Sequence, residues 1–128
     1  MRILALDYGS ARCGCAISDP TGTLATPLDV IPAPGGDEGI AAVKRLVEEQ
    51  GAERVVVGLP VSLSGGDSPQ TAEARAFAER LGAELPVPVD TYDERFTTTL
   101  AKRTPGRTPE DSRAAAHLLD SYLMRHRP

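Results

Sequence analysis

Between Glu53 and Pro60 the chain reads ERVVVGLP, and the triplet Val55-Val56-Val57 narrows the available folds more than any other feature. Successive side chains of a strand point to opposite faces, so this β-branched run is apolar on both. Burial on both faces marks a central strand of a parallel sheet with helices on each side. Neighbouring segments supply such helices. Ile40, Val43 and Val47, with Leu46 nearby, form a helical stripe that Gly51 is placed to end. Ser68-Pro69 starts a second helix with proline in its first position. Ala74, Phe77, Ala78 and Leu81 are its inner face, and Gly82 its expected stop.

Upstream, Arg2–Asp7, Cys13–Ser18 and Thr23–Ile31 read as three strands of a meander. Asp19-Pro20-Thr21-Gly22 has the residues of a type I turn between the last two. Pro32-Ala33-Pro34-Gly35-Gly36 then breaks the pattern. Val87–Thr91 reads as a fifth strand, and two further helices are expected over about 92–103 and 109–125. The order βββαβαβαα, with right-handed crossovers, places strands one, four and five parallel within a mixed five-stranded sheet. A single α/β domain over residues 1–128, with the ribonuclease H-like three-layer arrangement, is the expectation.

Charge restricts the partners. The net charge of −4 argues against indiscriminate coating of nucleic acid. Its distribution is uneven: residues 1–90 hold 7 basic and 13 acidic groups, net −6, whereas 91–128 hold 7 and 5, net +2. Of the 14 cations 12 are Arg, whose forked donors suit phosphate; genome composition accounts for the same bias equally well. No stretch approaches the length of a membrane span, and the apolar run after Arg2 is too short for a signal peptide, so a cytoplasmic location is expected. Cys13 and Cys15 fall on one face of a strand, read as small buried side chains without a disulfide.

Sites in parallel sheets form outside the carboxyl ends of the strands. Asp7 closes strand one, where an unpaired buried carboxylate would cost several kcal/mol, roughly 3 or more. Strand four runs out into GLPVSLSGGDSPQT and strand five into DTYDERFTT. The topology therefore brings Asp7 and Glu94 to one edge. Glu94 has a second reading, as the third residue of a capping box Thr91-Tyr92-Asp93-Glu94. Asp111 is similarly open. It fits the first turn of the last helix as a dipole partner, yet at 100° per residue it lies near the line of Ala115, Leu118 and Tyr122.

Three acids at one edge repel one another unless a cation lies among them, and an oxygen-only set favours Mg²⁺ or Mn²⁺ over zinc. Two such ions would activate water and stabilise the leaving oxygen of a phosphodiester. The loop containing Ser64, Gly65 and Gly66 either approaches phosphate through its backbone or simply connects two elements. It matches neither of the common nucleotide-loop patterns.

Four segments carry a resemblance: DYGSARCGCAISD, VVVGLPVSLSGGDSPQTAEARAFAERL, DERFTT with Ala101, and DSRAAAHLLDSYL. Taken in order over nearly the whole chain, they resemble the motifs of the YqgF/RuvX family. Its members are ribonuclease H-like proteins, described as Holliday junction resolvases and as nucleases maturing pre-16S ribosomal RNA. The resemblance implies that Asp7, Glu94 and Asp111 are catalytic and bind Mg²⁺ or Mn²⁺. It implies nucleic-acid contacts by Arg12, Arg95 and Thr97. The segment TLAKRTPGRTPE is shorter than the family's usual one, although Lys102, Arg103 and Arg107 keep it basic and suited to backbone contact.

The expected activity is metal-dependent hydrolysis of structured nucleic acid, foremost pre-16S rRNA in ribosome biogenesis, with ribosomal particles as further partners and a monomer or homodimer as the unit. Two alternatives are a Holliday junction resolvase-like DNA nuclease and a non-catalytic RNA-binding assembly factor. DYGSARCGCAISD also resembles the first phosphate loop of actin-like kinases, but those clamp ATP between two such domains and 128 residues supply one.

Overall fold

A computed structural model describes residues 1–60, 68–94 and 110–125, with backbone alone at 110 and 111. The elements are β1 (Ile3–Asp7), β2 (Arg12–Ser18), β3 (Ala25–Pro32), α1 (Asp37–Gln50), β4 (Arg54–Leu59), α2 (Pro69–Glu84), β5 (Val89–Asp93) and α3 (Glu110–Arg125). The strands form one sheet in the order β3-β2-β1-β4-β5. β1 to β3 are an antiparallel meander, while β4 runs parallel to both β1 and β5. The expected mixed α/β sheet is therefore present.

Strand alternation divides the interior into two cores. Leu4 and Leu6 of β1, Cys13 and Cys15 of β2, and Val55 and Val57 of β4 face α1 and α2. Ile3 and Ala5 of β1, with Val56 of β4, face α3 through Ala115, Leu118, Leu119 and Tyr122. Val55, Val56 and Val57 are all fully buried, as a central strand between two helical layers requires. Both cysteines are buried and free.

Local chemistry sets most boundaries. Gly51 adopts the left-handed conformation (φ 63°) and its N–H reaches the carbonyls of Val47 and Glu48, which ends α1. Ser68 caps α2: its hydroxyl accepts from Thr71 N–H while Thr71 reaches back to the Ser68 backbone. Such a cap contributes about 1 kcal/mol. At the turn between β2 and β3, Gly22 N–H donates to the Asp19 carbonyl at 2.9 Å. The Asp19 carboxylate accepts from Thr23 and Leu24 N–H at 2.8 and 3.2 Å.

Two expected boundaries are corrected. α2 does not stop at Gly82 but runs to Glu84, carrying Leu85 into the core, where its N–H bonds the Leu81 carbonyl at 2.8 Å. The fifth strand extends to Asp93, so no helix begins at residue 92. Tyr92 continues the ladder opposite Gly58 and packs under α3, and this pairing outweighs the local helix-start pattern. Residues 95–103 of the expected helix lie outside the described residues.

Candidate active site

Register assembles the site. Asp7, Gly58 and Tyr92 form one row across β1, β4 and β5, and Glu94 follows one residue after the last β5 pair, Leu59 with Asp93. Ile3, Ala5 and Asp7 alternate toward the α3 face, as do Val56 and Gly58. Glu94 shares that face. Its side chain lies back over β4, because a Cβ built on Gly58 would stand 2.7 Å from Glu94 Oε1 and 3.2 Å from its Cγ. The same Cβ would stand 2.9 Å from Leu118 Cδ2 of α3. Only glycine leaves room there for a carboxylate to cross the strand.

Across that gap Glu94 meets Asp7, with which it shares a hydrogen bond. Burial is the largest influence on Glu94, followed by that hydrogen bond and the charges of Asp7 and Asp93; together they raise its carboxyl well above the usual range. Two carboxyls this close cannot both ionise cheaply, so one proton bridges them unless a cation replaces it. With Thr91, Tyr92 and Asp93 in strand, the capping-box reading of Glu94 is overturned.

Helix α3 crosses above this row. Near its C-terminal end, Tyr122 hydroxyl donates to Asp90 at 2.8 Å, and Asp90 sits early in β5. Its first turn is tied elsewhere: the buried Ser112 hydroxyl donates to the Leu28 carbonyl of β3 at 2.5 Å. The helix thus runs from the carboxyl edge of β1, β4 and β5 toward their amino edge. Asp111 begins at the edge where Asp7 and Glu94 meet, two turns before Leu118 on the same helical line. Its side chain lies outside the described residues.

Arg12 opens β2 at this edge and is exposed. Ser64, Gly65, Gly66, Arg95, Thr97, Lys102, Arg103 and Arg107 all fall outside the described residues. Among the described residues no group of three His, Cys, Asp or Glu side chains is placed to hold a metal ion. The pair Asp7 and Glu94 nevertheless fits a hard divalent cation: oxygen donors only, held together against their own repulsion, over a glycine that keeps the space clear.

Two residues of this arrangement went unnoticed in the sequence. Gly58 has a recognisable signal, since a glycine inside a strand often marks a close approach. Ser112 has none beyond its place beside Asp111.

The sequence profile of a family described as "RuvX: Holliday junction resolvase" matches residues 1–125. A Chloroflexus aggregans protein named "Putative pre-16S rRNA nuclease" is 42% identical over 94% of this chain and 92% of its own length. In backbone, the Thermus thermophilus RuvC structure superposes with a TM-score of 0.60 at 16% identity, covering 98% of this chain and 96% of that one. A Fowlpox virus resolvase, solved with Holliday junction DNA, gives 0.62 at 13% identity with full coverage of both chains. These two likenesses establish the ribonuclease H-like fold.

Proposed function

The chain belongs to the RuvX family, and from that premise we propose that it is a divalent-metal-dependent nuclease acting on structured nucleic acid, with pre-16S rRNA as the substrate. The observation that carries this reading is the pairing of Asp7 with Glu94 over Gly58. A fold gains nothing from bringing two acids together in a partly buried place. A phosphodiesterase does, because the acids are the ligands of the ion that neutralises charge at the cleaved phosphate.

Asp7, Glu94 and Asp111 would hold Mg²⁺ or Mn²⁺, which when bound supplies an activated water and charge neutralisation at phosphorus. The chain's own residues do the rest. Asp7 is fixed between two ladders at the end of β1, so its carboxylate has one approach direction. Glu94 is confined by Gly58 below and Leu118 beside it. Arg12, on the same edge, pairs with a backbone phosphate through its guanidinium. Hydrolysis forms one P–O bond from water and breaks one P–O bond of the backbone, the proton of water passing to the departing oxygen through solvent or a carboxylate.

The relative's name supports rRNA as the substrate. The family's description supports a second reading, cleavage of branched DNA. Among the described residues no helix is long and apolar enough to cross a membrane.

One experiment compares wild type and Asp7→Asn on labelled pre-16S rRNA, linear RNA and a four-way DNA junction, with Mg²⁺ or Mn²⁺. Wild type is expected to cut the rRNA precursor. Asp7→Asn should lose that activity by a factor of about 10³ or more while its melting temperature holds or rises, since one of two clashing acids is neutral. Cleavage undiminished in the variant removes the proposed site. Preferential cutting of the junction moves the assignment to DNA, and RNA retained but never cut favours a non-catalytic assembly factor.

A further inference from the structure

Asp7 and Tyr8 are consecutive and point to opposite faces of the sheet. Behind Asp7, on the side of α1 and α2, lies a cavity of about 460 Å³, within the usual size of small-ligand sites. Its floor is apolar, made by the buried Tyr8, Ile40 and Phe77, with the Tyr8 and Phe77 ring centroids 4.8 Å apart. Polar groups converge on it from the rim. Tyr8 is only 8% exposed, yet its hydroxyl makes no hydrogen bond among the described residues. Glu73 borders the same space and has no ion pair among them.

Ala33 lines another wall in a left-handed conformation (φ 43°), which a residue with a Cβ rarely adopts. Its N–H is held by the Ala11 carbonyl at 3.0 Å. Strain of this kind collects at binding sites.

The charges choose the ligand. Among the described residues Arg80 is the one cation lining the cavity, and its guanidinium is already engaged: 2.6 Å from Asp37, 2.8 Å from Glu84, and 3.4 Å from the Gly35 carbonyl. Glu73 would repel an anion, so phosphate is disfavoured. The Tyr8 hydroxyl stands at the edge of the same cavity as a hydrogen-bond donor. A flat, uncharged ring bearing N–H donors matches an apolar floor with an acceptor carboxylate and a phenol at its edge.

We propose that this cavity receives an unpaired nucleobase of the strand whose backbone is cut at Asp7 and Glu94, with the base's N–H donors directed at Glu73. The proposal rests on the nuclease reading for its source of bases, and extends it: the enzyme would select unpaired nucleotides next to the cleavage point. Base-on-aromatic contacts tolerate any sequence, while Glu73 would favour bases presenting amino groups.

Fluorescence anisotropy in metal-free buffer containing EDTA tests this on wild type, Ala76→Phe, Tyr8→Phe and Glu73→Gln. The probes are end-labelled RNA hexamers, either intact or with one abasic nucleotide scanned through the positions. Wild type should show one position where base removal weakens binding roughly tenfold. Ala76→Phe, at an exposed position of α2 that borders the cavity, puts a ring into that space and should bind intact and abasic hexamers alike. Tyr8→Phe and Glu73→Gln should each lose about threefold on the intact hexamer. Equal wild-type affinity at every position, or no binding at all, overturns the slot. Saturation by free guanosine without any position dependence in the hexamers overturns the strand as the source. Cleavage with Mn²⁺ is read separately. Base-dependent binding without cleavage removes the nuclease reading and leaves the slot, and cleavage without base dependence does the reverse.

Discussion

At the amino ends of β4 and β5, Arg54 lies 2.7 Å from Asp90, and the Tyr122 hydroxyl donates to the same carboxylate at 2.8 Å. At the carboxyl ends of the same strands, Glu94 instead meets another acid, Asp7. One end neutralises its charges with groups from its own chain. The other brings two carboxyls into contact, and the charges of Asp7 and Asp93 raise the Glu94 carboxyl. Packing and register explain the first end entirely; they explain how the second is possible but not why it is there.

The largest test acts on the glycine that makes the second end possible. Gly58→Ala puts a Cβ 2.7 Å from Glu94 Oε1 and 2.9 Å from Leu118 Cδ2, so the carboxylate must leave its place beside Asp7. We expect cleavage to fall by about a hundredfold or more, and stability by about 1–3 kcal/mol from overpacking. Gly82→Ala is the contrasting case. It lies within α2, its nearest neighbour would be 4.0 Å away, and alanine should raise helix stability by about 0.5–1 kcal/mol with activity intact. Equal activity of the two variants breaks the distinction between the ends.

A smaller effect reads the repulsion directly through pH. Glu94 is raised in the folded protein to about 9, against about 4.3 in an unfolded chain. Between those values the folded state binds a proton that the unfolded state has released, so stability falls as pH rises through this window. Thermal unfolding in metal-free buffer should therefore show a melting temperature declining by several degrees from pH 5 to pH 8. Millimolar Mn²⁺ should flatten the decline by binding the folded form. Asp19 titrates in the opposite sense. Hydrogen bonds from Thr21, Thr23 and Leu24 lower its carboxyl below the usual range, so its contribution is complete above about pH 4 and fades only in acid. A melting temperature flat from pH 5 to pH 8, with or without metal, would contradict a strained acidic pair.

Much of this contrast was legible from residues alone, because it depends on strand direction. Val55-Val56-Val57 required cover on both faces, and with the meander before it that fixed β1, β4 and β5 as parallel. Parallel strands share a carboxyl edge, so Asp7 and Glu94 are brought together across 86 intervening positions. What misled was local pattern. Thr91-Tyr92-Asp93-Glu94 has the letters of a capping box, but Tyr92 gains more from the ladder opposite Gly58 and from Tyr122, whose ring stands edge-on at 5.6 Å. Gly82 looked like a stop, but the apolar Leu85 drew the helix onward. Gly58 passed as part of a motif because its role depends on a side chain 36 residues away folding back over it.

The smallest effect belongs to the amino end, and its value lies in being confined there. Tyr122→Phe removes one hydroxyl, leaving the ring in the α3 core and the Arg54–Asp90 ion pair in place. Arg54 loses a contact of 3.4 Å and Asp90 one of 2.8 Å. A single hydrogen bond of this kind contributes about 0.5–1.5 kcal/mol, so the melting temperature should drop by roughly 2–5 °C. Cleavage should be unchanged, because Tyr122 lies at the far end of α3 from the helix's first turn and the strands transmit no charge between their ends. The pH-dependence of stability should also keep its slope, since Glu94 feels Asp7 and Asp93 rather than Asp90. A loss of activity comparable with that of Gly58→Ala would mean that α3 couples the two ends through its position. The quiet network would then be holding the reactive one in place.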